Sequence, residues 1–332
     1  MSLLYDRKYR LVIGQPSNSI QYTGEVSSVN LETLGVFSPT NYVNDYRFEY
    51  GGGTEITDLQ IIADVAGNSN TGKQAGCVIK IYNLSDETRA QIEDVNNYLI
   101  LEAGYAQDDE LKLIFSGQIF NFNTEKQGQD LVTTLQCKDG FTPNNGVRVA
   151  KTYAKGLTYA DVLYDLTRIF ADNGIPTGQL EMEPLLADRQ TYVQLRTPQE
   201  TILRRGYSAV GFLRQIMDNV CNSLGYVWYI TNGRLFCHPK GYTKMVELYE
   251  FNTDQLLSIR RTGDQTVSTS TGKGDVGVKI VTFLDGRLDV DKMIRVTNGQ
   301  YQGDYKVLSK SHSLDYRNGG WTTTIECKKT TT

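Results

Sequence analysis

The sequence predicts a mainly β fold of the α+β class, with two β-domains related by internal duplication and a helix-and-hairpin region between them. The first observation is that residues 119–138 and 309–328 align without a gap. Each stretch ends in the pattern apolar-x-Thr-Thr-apolar-x-Cys-Lys, and each has a polar turn upstream, KQGQ from Lys126 and RNGG from Arg317. The second is that helical spacing of apolar residues is strongest in the middle of the chain.

The last strand of each stretch alternates in polarity. Residues two apart on a strand lie on one face of a sheet. The apolar face is predicted to hold Leu131, Thr133, Leu135 and Cys137 in the first copy and Trp321, Thr323, Ile325 and Cys327 in the second. Asn318-Gly319 is a strong turn signal, because both residues tolerate positive φ. The two stretches therefore read as one β-hairpin used twice.

Three earlier segments of the two halves also match in order and character. Residues 79–84, 98–104 and 113–117 precede the first hairpin, and residues 278–283, 293–299 and 305–309 precede the second. Four matched strands in one order favour a duplicated domain over coincidence, and the repeat is far longer than a solenoid repeat. We expect three parts: a first β-domain at 1–150, a middle region at 151–262 and a second β-domain at 263–332.

In the first domain, strands are expected at 9–13, 59–65 and 77–82. A short helix should follow, with Ser85 as its N-cap. Toward the second domain, residues 261–277 are rich in Ser, Thr and Gly, so that a loop or linker is expected there.

In the middle region, Thr158 and Asp161 form a capping-box-like start of a helix. A second helix is expected from about Ser208, with Val210 and Phe212 in its apolar stripe. A hairpin with an Asn232-Gly233 turn follows it, and a lone strand is expected at 191–195.

Composition excludes several classes of protein. The 332 residues are 39% hydrophobic and 22% charged, which is ordinary for a soluble globular protein. The net charge of −4 gives no indication of a dedicated nucleic-acid-binding surface. There is no apolar run of the roughly 20 residues that span a bilayer and no signal-peptide pattern. The five cysteines have long spacings, which predicts buried free thiols in a reducing compartment.

Two glycine-rich motifs lack the neighbouring strand or helix that nucleotide binding requires. Residues 67–73 match the first seven positions of a P-loop, but Gln74 stands where Ser or Thr should bind magnesium, and a strand pattern follows instead of a helix. Residues 272–277 match G-x-G-x-x-G without a preceding buried strand or a following helix. A hairpin loop is the better interpretation of the first.

No catalytic, cofactor-binding or metal-binding residue is predicted, and we expect no enzymatic activity. His238 and His312 are the only histidines and lack the neighbours that a metal site or general base needs, so each is expected at a surface or interface. Hydrolase motifs are absent. A glycosidase pair such as Glu181 with Glu183 stays open, although no spacing supports it.

Several short motifs, and above all their order along the chain, make the sequence resemble the baseplate hub proteins of phage tails. This group contains the late control protein D family and the T4-type hub. The motifs are IYNLS…TR within 78–89, the AGY turn of 101–105 and IFSG at 114–117. The strand of W-x-T-x-I-x-C from Trp321 and the helix-plus-hairpin of 213–235 add to the resemblance. Residues 1–50 and 177–207 carry none of it.

The resemblance implies that both β-domains are tube-like β-barrels and that the chain is a structural homotrimer. Three chains would then make a ring of six similar barrels that joins a six-fold tail tube to a three-fold central spike. The implied partners are a tail tube or distal tube protein, a separate spike protein, since the chain stops after the second barrel, and other baseplate proteins. DNA would pass the channel transiently without specific binding, and there would be no membrane insertion by the chain itself.

The implied location is the virion tail baseplate, assembled in the host cytoplasm. Two other functions stay open from sequence. One is a tail-associated cell-wall hydrolase. The other is the hub part of a type VI-like secretion spike.

Overall fold

A computed structural model describes residues 6–14, 54–69, 73–92, 98–175, 177–180, 198, 201–240, 248–262 and 277–330. Strands predominate over helices in these residues, so the prediction of a mainly β fold is confirmed. None of the helices in the described ranges is long and apolar enough to cross a membrane.

In its described residues, the first part of the chain contains eight strands and one short helix. They are β1 (Arg7–Gly14), β2 (Thr54–Ile56), β3 (Ile61–Asn68), β4 (Lys73–Gln74), β5 (Gly76–Tyr82), α1 (Asp86–Ile92), β6 (Tyr98–Tyr105), β7 (Lys112–Gln127) and β8 (Asp130–Lys138). The predicted cap of α1 is confirmed, because the backbone N–H of Thr88 donates to Ser85 Oγ at 3.2 Å.

The middle part contains the longer helices and a hairpin. Its elements are α2 (Phe141–Gly146), β9 (Arg148–Tyr153), α3 (Tyr159–Asp172), β10 (Thr177–Leu180), β11 (Tyr207–Phe212), α4 (Leu213–Leu224), β12 (Tyr226–Thr231) and β13 (Arg234–Pro239). The capping box of α3 is confirmed: Asp161 N donates to Thr158 Oγ1 at 3.2 Å, and Thr158 N donates to Asp161 Oδ2 at 2.7 Å. The turn between β12 and β13 has positive φ at Asn232 and Gly233, as the sequence predicts.

The predicted start of the second helix near Ser208 is wrong. Residues 207–212 form β11, which pairs antiparallel with β9, and the helix begins only at Leu213. Val210 is therefore 72% exposed instead of lying in the helix core. Gly211 has φ of 138°, which a helix does not accommodate. A partner strand far away in sequence decided this segment, where local periodicity favoured a helix.

The last part contains β14 (Leu248–Phe251), a single 3₁₀ turn (Thr253–Gln255), β15 (Ser258–Thr262), β16 (Gly277–Phe283), β17 (Met293–Val296), β18 (Gly303–Asp315) and β19 (Trp321–Lys329). The prediction of a linker from residue 261 is wrong for Arg261 and Thr262, which lie in β15 and pair with β16. Residues 263–276 and the strand predicted at 191–195 lie outside the described residues.

Two groups of five strands have the same order and form one large sheet. We call β3-β5-β8-β7-β6 the first β-unit and β15-β16-β19-β18-β17 the second β-unit; all neighbours within each are antiparallel. β1 and β2 extend the first unit, and β14 pairs parallel with β17 in the second. This order supports the predicted duplication. Over the described residues the sheet runs from β15 to β2 without closing into a barrel.

The strand register corrects the gapless alignment of the two hairpins. Cys137 pairs with Ile119 in the first unit, and Cys327 pairs with Val307 in the second. A bulge follows each pair, so Phe120 and Leu308 occupy equivalent positions. Residues 128–129 separate the paired Gln127 and Asp130 in the first hairpin, and the longer stretch 316–319 separates their equivalents, Asp315 and Gly320, in the second. The second turn is longer by two residues, which displaces every residue of β18 relative to the alignment by sequence.

Three hydrophobic clusters fill the interior formed by the described residues. One lies in the first β-unit, one in the middle part and one in the second β-unit. Tyr249, Phe251 and Ile259 pack against the third cluster, so residues 248–262 belong to the second β-unit in packing as well as in pairing. The first cluster also contains Leu314 and Trp321 from the second β-unit. The two units therefore share buried surface.

The capping box of α3 provides a test of local stability. Thr158→Ala removes the side-chain acceptor of the Asp161 N–H, so we expect a loss of about 1 kcal/mol in the free energy of unfolding. Urea titration followed by circular dichroism measures it. Thr152→Ala, at an exposed position of β9, is the matched control and should change stability far less. Equal losses in both variants would contradict a role for the cap.

Candidate functional site

The two β-units meet where β18 pairs with β3. β18 is longer than its neighbour β17, which pairs only with residues 303–306. The rest of β18, 309–315, pairs antiparallel with 62–68 of β3. Ser313 Oγ donates to Asp64 Oδ1 across the two strands at 3.0 Å. We call this pairing the internal junction.

A buried lysine lies on the core side of the internal junction. The side chain of Lys310 is 1% exposed, and its Nζ is 2.9 Å from Asp289 Oδ1. Its aliphatic part passes Gly67 of β3 so closely that a Cβ at Gly67 would lie 3.1 Å from Lys310 Cε. A buried ammonium is tolerated only when it is paired, and here the carboxylate of Asp289 is its partner.

A second carboxylate, Asp291, has a side chain that is 17% exposed and binds donors from two parts of the chain. Its side chain accepts from Tyr229 Oη and from His238 Nε2 (2.8 Å) in the middle hairpin, and Lys306 Nζ of β18 is 2.8 Å from Oδ1. Burial alone would raise the pKa of Asp291, but His238 and Lys306 outweigh it and lower this pKa to about 2. The carboxylate is therefore held in its charged form.

Asp139 connects the end of β8 to the same hairpin. It is fully buried, and its Oδ2 accepts from the Gly233 N–H at 2.8 Å. Burial raises the pKa of Asp139 to about 7, although the Gly233 N–H and Lys310 act in the opposite direction. Nearby, Asn232 Nδ2 donates to Asp289 Oδ2 at 2.8 Å. We call these groups the polar cluster: Asp139, Tyr229, Asn232, His238, Asp289, Asp291, Lys306 and Lys310.

The polar cluster holds three parts of the chain together. Asp139 follows the first β-unit, the hairpin β12–β13 belongs to the middle part, and Asp289 and Asp291 lie in the connection between β16 and β17. Parallel pairing of β12 with β4 adds a backbone link between the hairpin and the first part. The cluster is thus a docking element between units and has a structural role.

The expectation of surface or interface histidines is wrong. His238 is 3% exposed and His312 is fully buried within the chain. His312 Nδ1 lies 2.9 Å from Thr323 Oγ1 of the neighbouring strand. Burial, with the nearby Lys310 charge, lowers the pKa of His312 to about 3, so its imidazole is neutral. Both histidines are covered by strands or loops distant in sequence, which no local pattern indicates.

A cavity of about 310 Å³ opens on the opposite, polar face of the internal junction. Its lining includes Ser309, Ser311 and Thr324, together with Lys279 and Glu326, whose side chains are 3.2 Å apart. Within the described ranges no group of three or more His, Cys, Asp or Glu side chains could hold a metal ion. The cavity therefore presents hydrogen-bonding groups and one ion pair.

The other sequence motifs are placed as follows. Gly67 and Asn68 end β3, Lys73 begins β4, and residues 70–72 lie outside the described residues. β5 then runs antiparallel to β3, as the hairpin interpretation predicts. Gly277 opens β16, whereas residues 272–276 lie outside the described residues, as do Glu181 and Glu183. The five cysteines are free and buried, in agreement with the prediction of buried thiols. Burial raises the pKa of Cys77 and Cys221 well above the usual value.

Sequence reasoning missed the polar cluster. One signal was available: Lys310 and His312 alternate with serines and share a strand face with Leu314, so two polar residues occupy the apolar side. The pair Asp289 and Asp291 carries no such signal, because carboxylates in a loop are normally solvated.

Solved structures similar to this chain come from phage tails and a secretion system. The tail protein from Neisseria meningitidis MC58 has a TM-score of 0.54 at 12% identity, covering 84% of this chain and 94% of its own. The tail protein of prophage MuSo2 from Shewanella oneidensis has a TM-score of 0.56 at 8% identity, covering 83% and 94%. No family model matches, and no curated protein is similar in sequence.

A third structure is an Escherichia coli component of the type VI secretion system, described as similar to the T4 bacteriophage tail proteins gp27 and gp5. It has a TM-score of 0.55 at 9% identity, covering 82% of this chain and 74% of its own. This chain has the fold of phage tail proteins. The resemblance predicted from sequence is thereby confirmed at the level of the fold.

Asp291 tests the energetic role of the polar cluster. Asp291→Asn removes the charge that Lys306 and His238 face, so we expect the free energy of unfolding to fall by roughly 3 kcal/mol at neutral pH. Glu55→Gln is the matched control, because it breaks the solvent-exposed pair with Arg10 (2.9 Å) and should cost much less. Urea unfolding at pH 7 compares them. A loss in D291N no greater than in E55Q would contradict the role assigned to the cluster.

Asp139 predicts an unusual pH dependence of stability. Its pKa is raised in the folded state, so its contribution is present below the unfolded value and is lost as pH rises through about 7. We expect the wild type to lose stability between pH 5 and pH 8 relative to D139N. Urea unfolding at both pH values measures this difference. D109N, altered at an exposed turn residue, should behave as the wild type; identical pH profiles for the wild type and D139N would refute the prediction.

Proposed function

We propose that this chain is a non-enzymatic structural hub of a phage tail or a phage-tail-like injection machine. In this proposal it is a homotrimer that joins a six-fold tail tube to a three-fold central spike. The observation that carries the proposal is the pair of β-units with one strand order, joined edge to edge in a single sheet. The fold shared with phage tail proteins supports it.

The duplication suits a change of symmetry. Three chains that each supply two similar units offer six similar surfaces on one side of a ring. The middle part occurs once per chain and therefore keeps true three-fold symmetry. A tube of six subunits and a spike of three could each meet a matching surface.

The polar face of the large sheet is suited to line the channel. It presents short hydroxyl and amide side chains such as Ser311, Thr324 and Asn123, and both signs of charge occur among them, as in Lys279 and Glu326. Tight DNA binding depends on several cations that neutralise phosphates. A face of mixed charge would let DNA pass without holding it.

The proposed partners follow from this role. They are a tail tube or distal tube protein on the six-fold side, a separate spike protein on the three-fold side, and other baseplate proteins around the middle part. The location would be the tail baseplate of the virion, with assembly in the host cytoplasm. The likeness to a type VI secretion component makes the hub part of such a spike the second candidate.

The mass of the purified chain in solution tests the proposal. We expect a trimer of the 37.3 kDa chain by light scattering, with electron microscopy showing a ring of six similar lobes. Six lobes are expected because each chain contributes two β-units. A chain that stays monomeric at high concentration, or a ring with only three lobes, would argue against the hub.

A further inference from the structure

One difference between the two β-units concerns an edge that is paired in the second unit and, within the described residues, open in the first. In β18, residues 309–315 pair with β19 on one side and β3 on the other. The equivalent residues of β7 are 121–127, because Cys137 and Cys327 mark one register. Residues 121–127 pair with β8, and in the described part of the chain no strand pairs with their other edge.

A second open edge lies at the opposite end of the sheet. β15 holds the place in the second β-unit that β3 holds in the first, since Ile259 pairs with Ile280 of β16 and Ala63 pairs with Ile79 of β5. β3 pairs with β5 on one side and β18 on the other. β15 pairs with β16 only, as far as the described residues show. Open edges of this kind are templates for pairing with another chain.

We propose that these two edges are the halves of one subunit junction: residues 121–127 of one copy pair antiparallel with 258–262 of a second copy. The register would repeat that of the internal junction. The inference rests on the proposed function in one respect, that three such junctions close a ring. The occupant of each edge is a second copy of this chain, because the chain already joins the equivalent strands internally.

The internal junction gives the register residue by residue. Ser313 pairs with Asp64. Glu125 pairs with Val132 of β8, and Ser313 pairs with Thr322 of β19. Val132 and Thr322 hold matching positions, so Glu125 is equivalent to Ser313. Arg260 pairs with Lys279, which pairs with Glu326 of β19. Asp64 pairs with Val78, which pairs with Gln136 of β8. Because Glu326 and Gln136 hold matching positions, Arg260 is equivalent to Asp64. Glu125 of one copy would therefore lie opposite Arg260 of the next.

The charges at this position are complementary. Glu125 and Arg260 are both exposed and lie on the polar face of the sheet. Arg260 pairs across strands with another cation, Lys279, and has no ion pair in the described residues. Opposite charges directly across antiparallel strands stabilise pairing, whereas like charges oppose it. Lys279 already has a partner in Glu326 at 3.2 Å, so a carboxylate from the next copy would give Arg260 an ion pair of its own.

Residues 125 and 260 would also lie opposite each other at a position where the two strands bring side chains close together. In the internal junction Tyr316 N donates to Ile61 O at 3.1 Å, and Ser69 N donates to Leu308 O at 3.0 Å. Hydrogen-bonded pairs alternate along antiparallel strands, so Ser313 and Asp64 form a non-hydrogen-bonded pair, in which Cα atoms are about 4.5 Å apart. Cysteines at the equivalent positions 125 and 260 would be within disulfide range.

Cysteine cross-linking tests the junction. The variant carrying Glu125→Cys and Arg260→Cys should form a covalent ladder on a non-reducing gel that ends at three chains and collapses on reduction. The five native cysteines are buried and should not contribute. The matched control carries Glu125→Cys and Arg261→Cys, because Arg261 faces the other side of the strand. We expect little cross-linking in the control.

Charge reversal gives an independent readout. Glu125→Arg should weaken association about tenfold or more, and adding Arg260→Glu to it should restore association. Light scattering over a dilution series measures this. Both positions are exposed, and circular dichroism of each variant checks that it folds.

The outcomes separate the junction from the hub. A trimer by mass whose cysteine pair fails to cross-link would overturn the junction and leave the hub standing. Covalent chains that grow beyond three would support the edge pairing and contradict the closed ring. A monomer without cross-links, or equal cross-linking in the Arg261 control, would overturn the junction.

Discussion

The architecture depends on one strand pairing, which satisfies the backbone groups at an edge inside the large sheet. β18 continues past β17, and β3 fills the vacant edge. This single pairing joins the two β-units into one sheet, aligns their polar faces and brings Leu314 and Trp321 into the core of the first unit.

Buried charge reinforces this join. Lys310 reaches through the core side of the junction to Asp289, and Asp291 gathers donors from the middle hairpin and from β18. Each buried charge costs desolvation that only a well-placed partner offsets. A cluster of this kind tolerates one relative position of the units, because a shift would leave charges unpaired. The middle part is in this way attached rigidly to the duplicated sheet.

Sequence reasoning succeeded where the signal is local. The capping box of Thr158 and Asp161, the Asn232-Gly233 turn and the alternating strand before Cys327 depend on neighbours within a few residues. It failed where a distant segment decides. Residues 207–212 became a strand because β9 offers a partner edge, and His312 is buried because β3 and β19 flank it. The gapless alignment placed the residues of β18 two positions out of register, because two extra residues in the turn before β19 leave the alternating strand pattern unchanged.

The sequence by itself determined that the chain is mainly β, that it contains the same strand set twice, and that a helix-and-hairpin part lies between the copies. These follow from periodicity and turn chemistry, which act over a few residues. Only the tertiary structure decided how the copies join, which edges stay open and where the charges of Asp291 and Lys310 find partners. Those outcomes depend on contacts between residues far apart in sequence, and such contacts leave no local pattern.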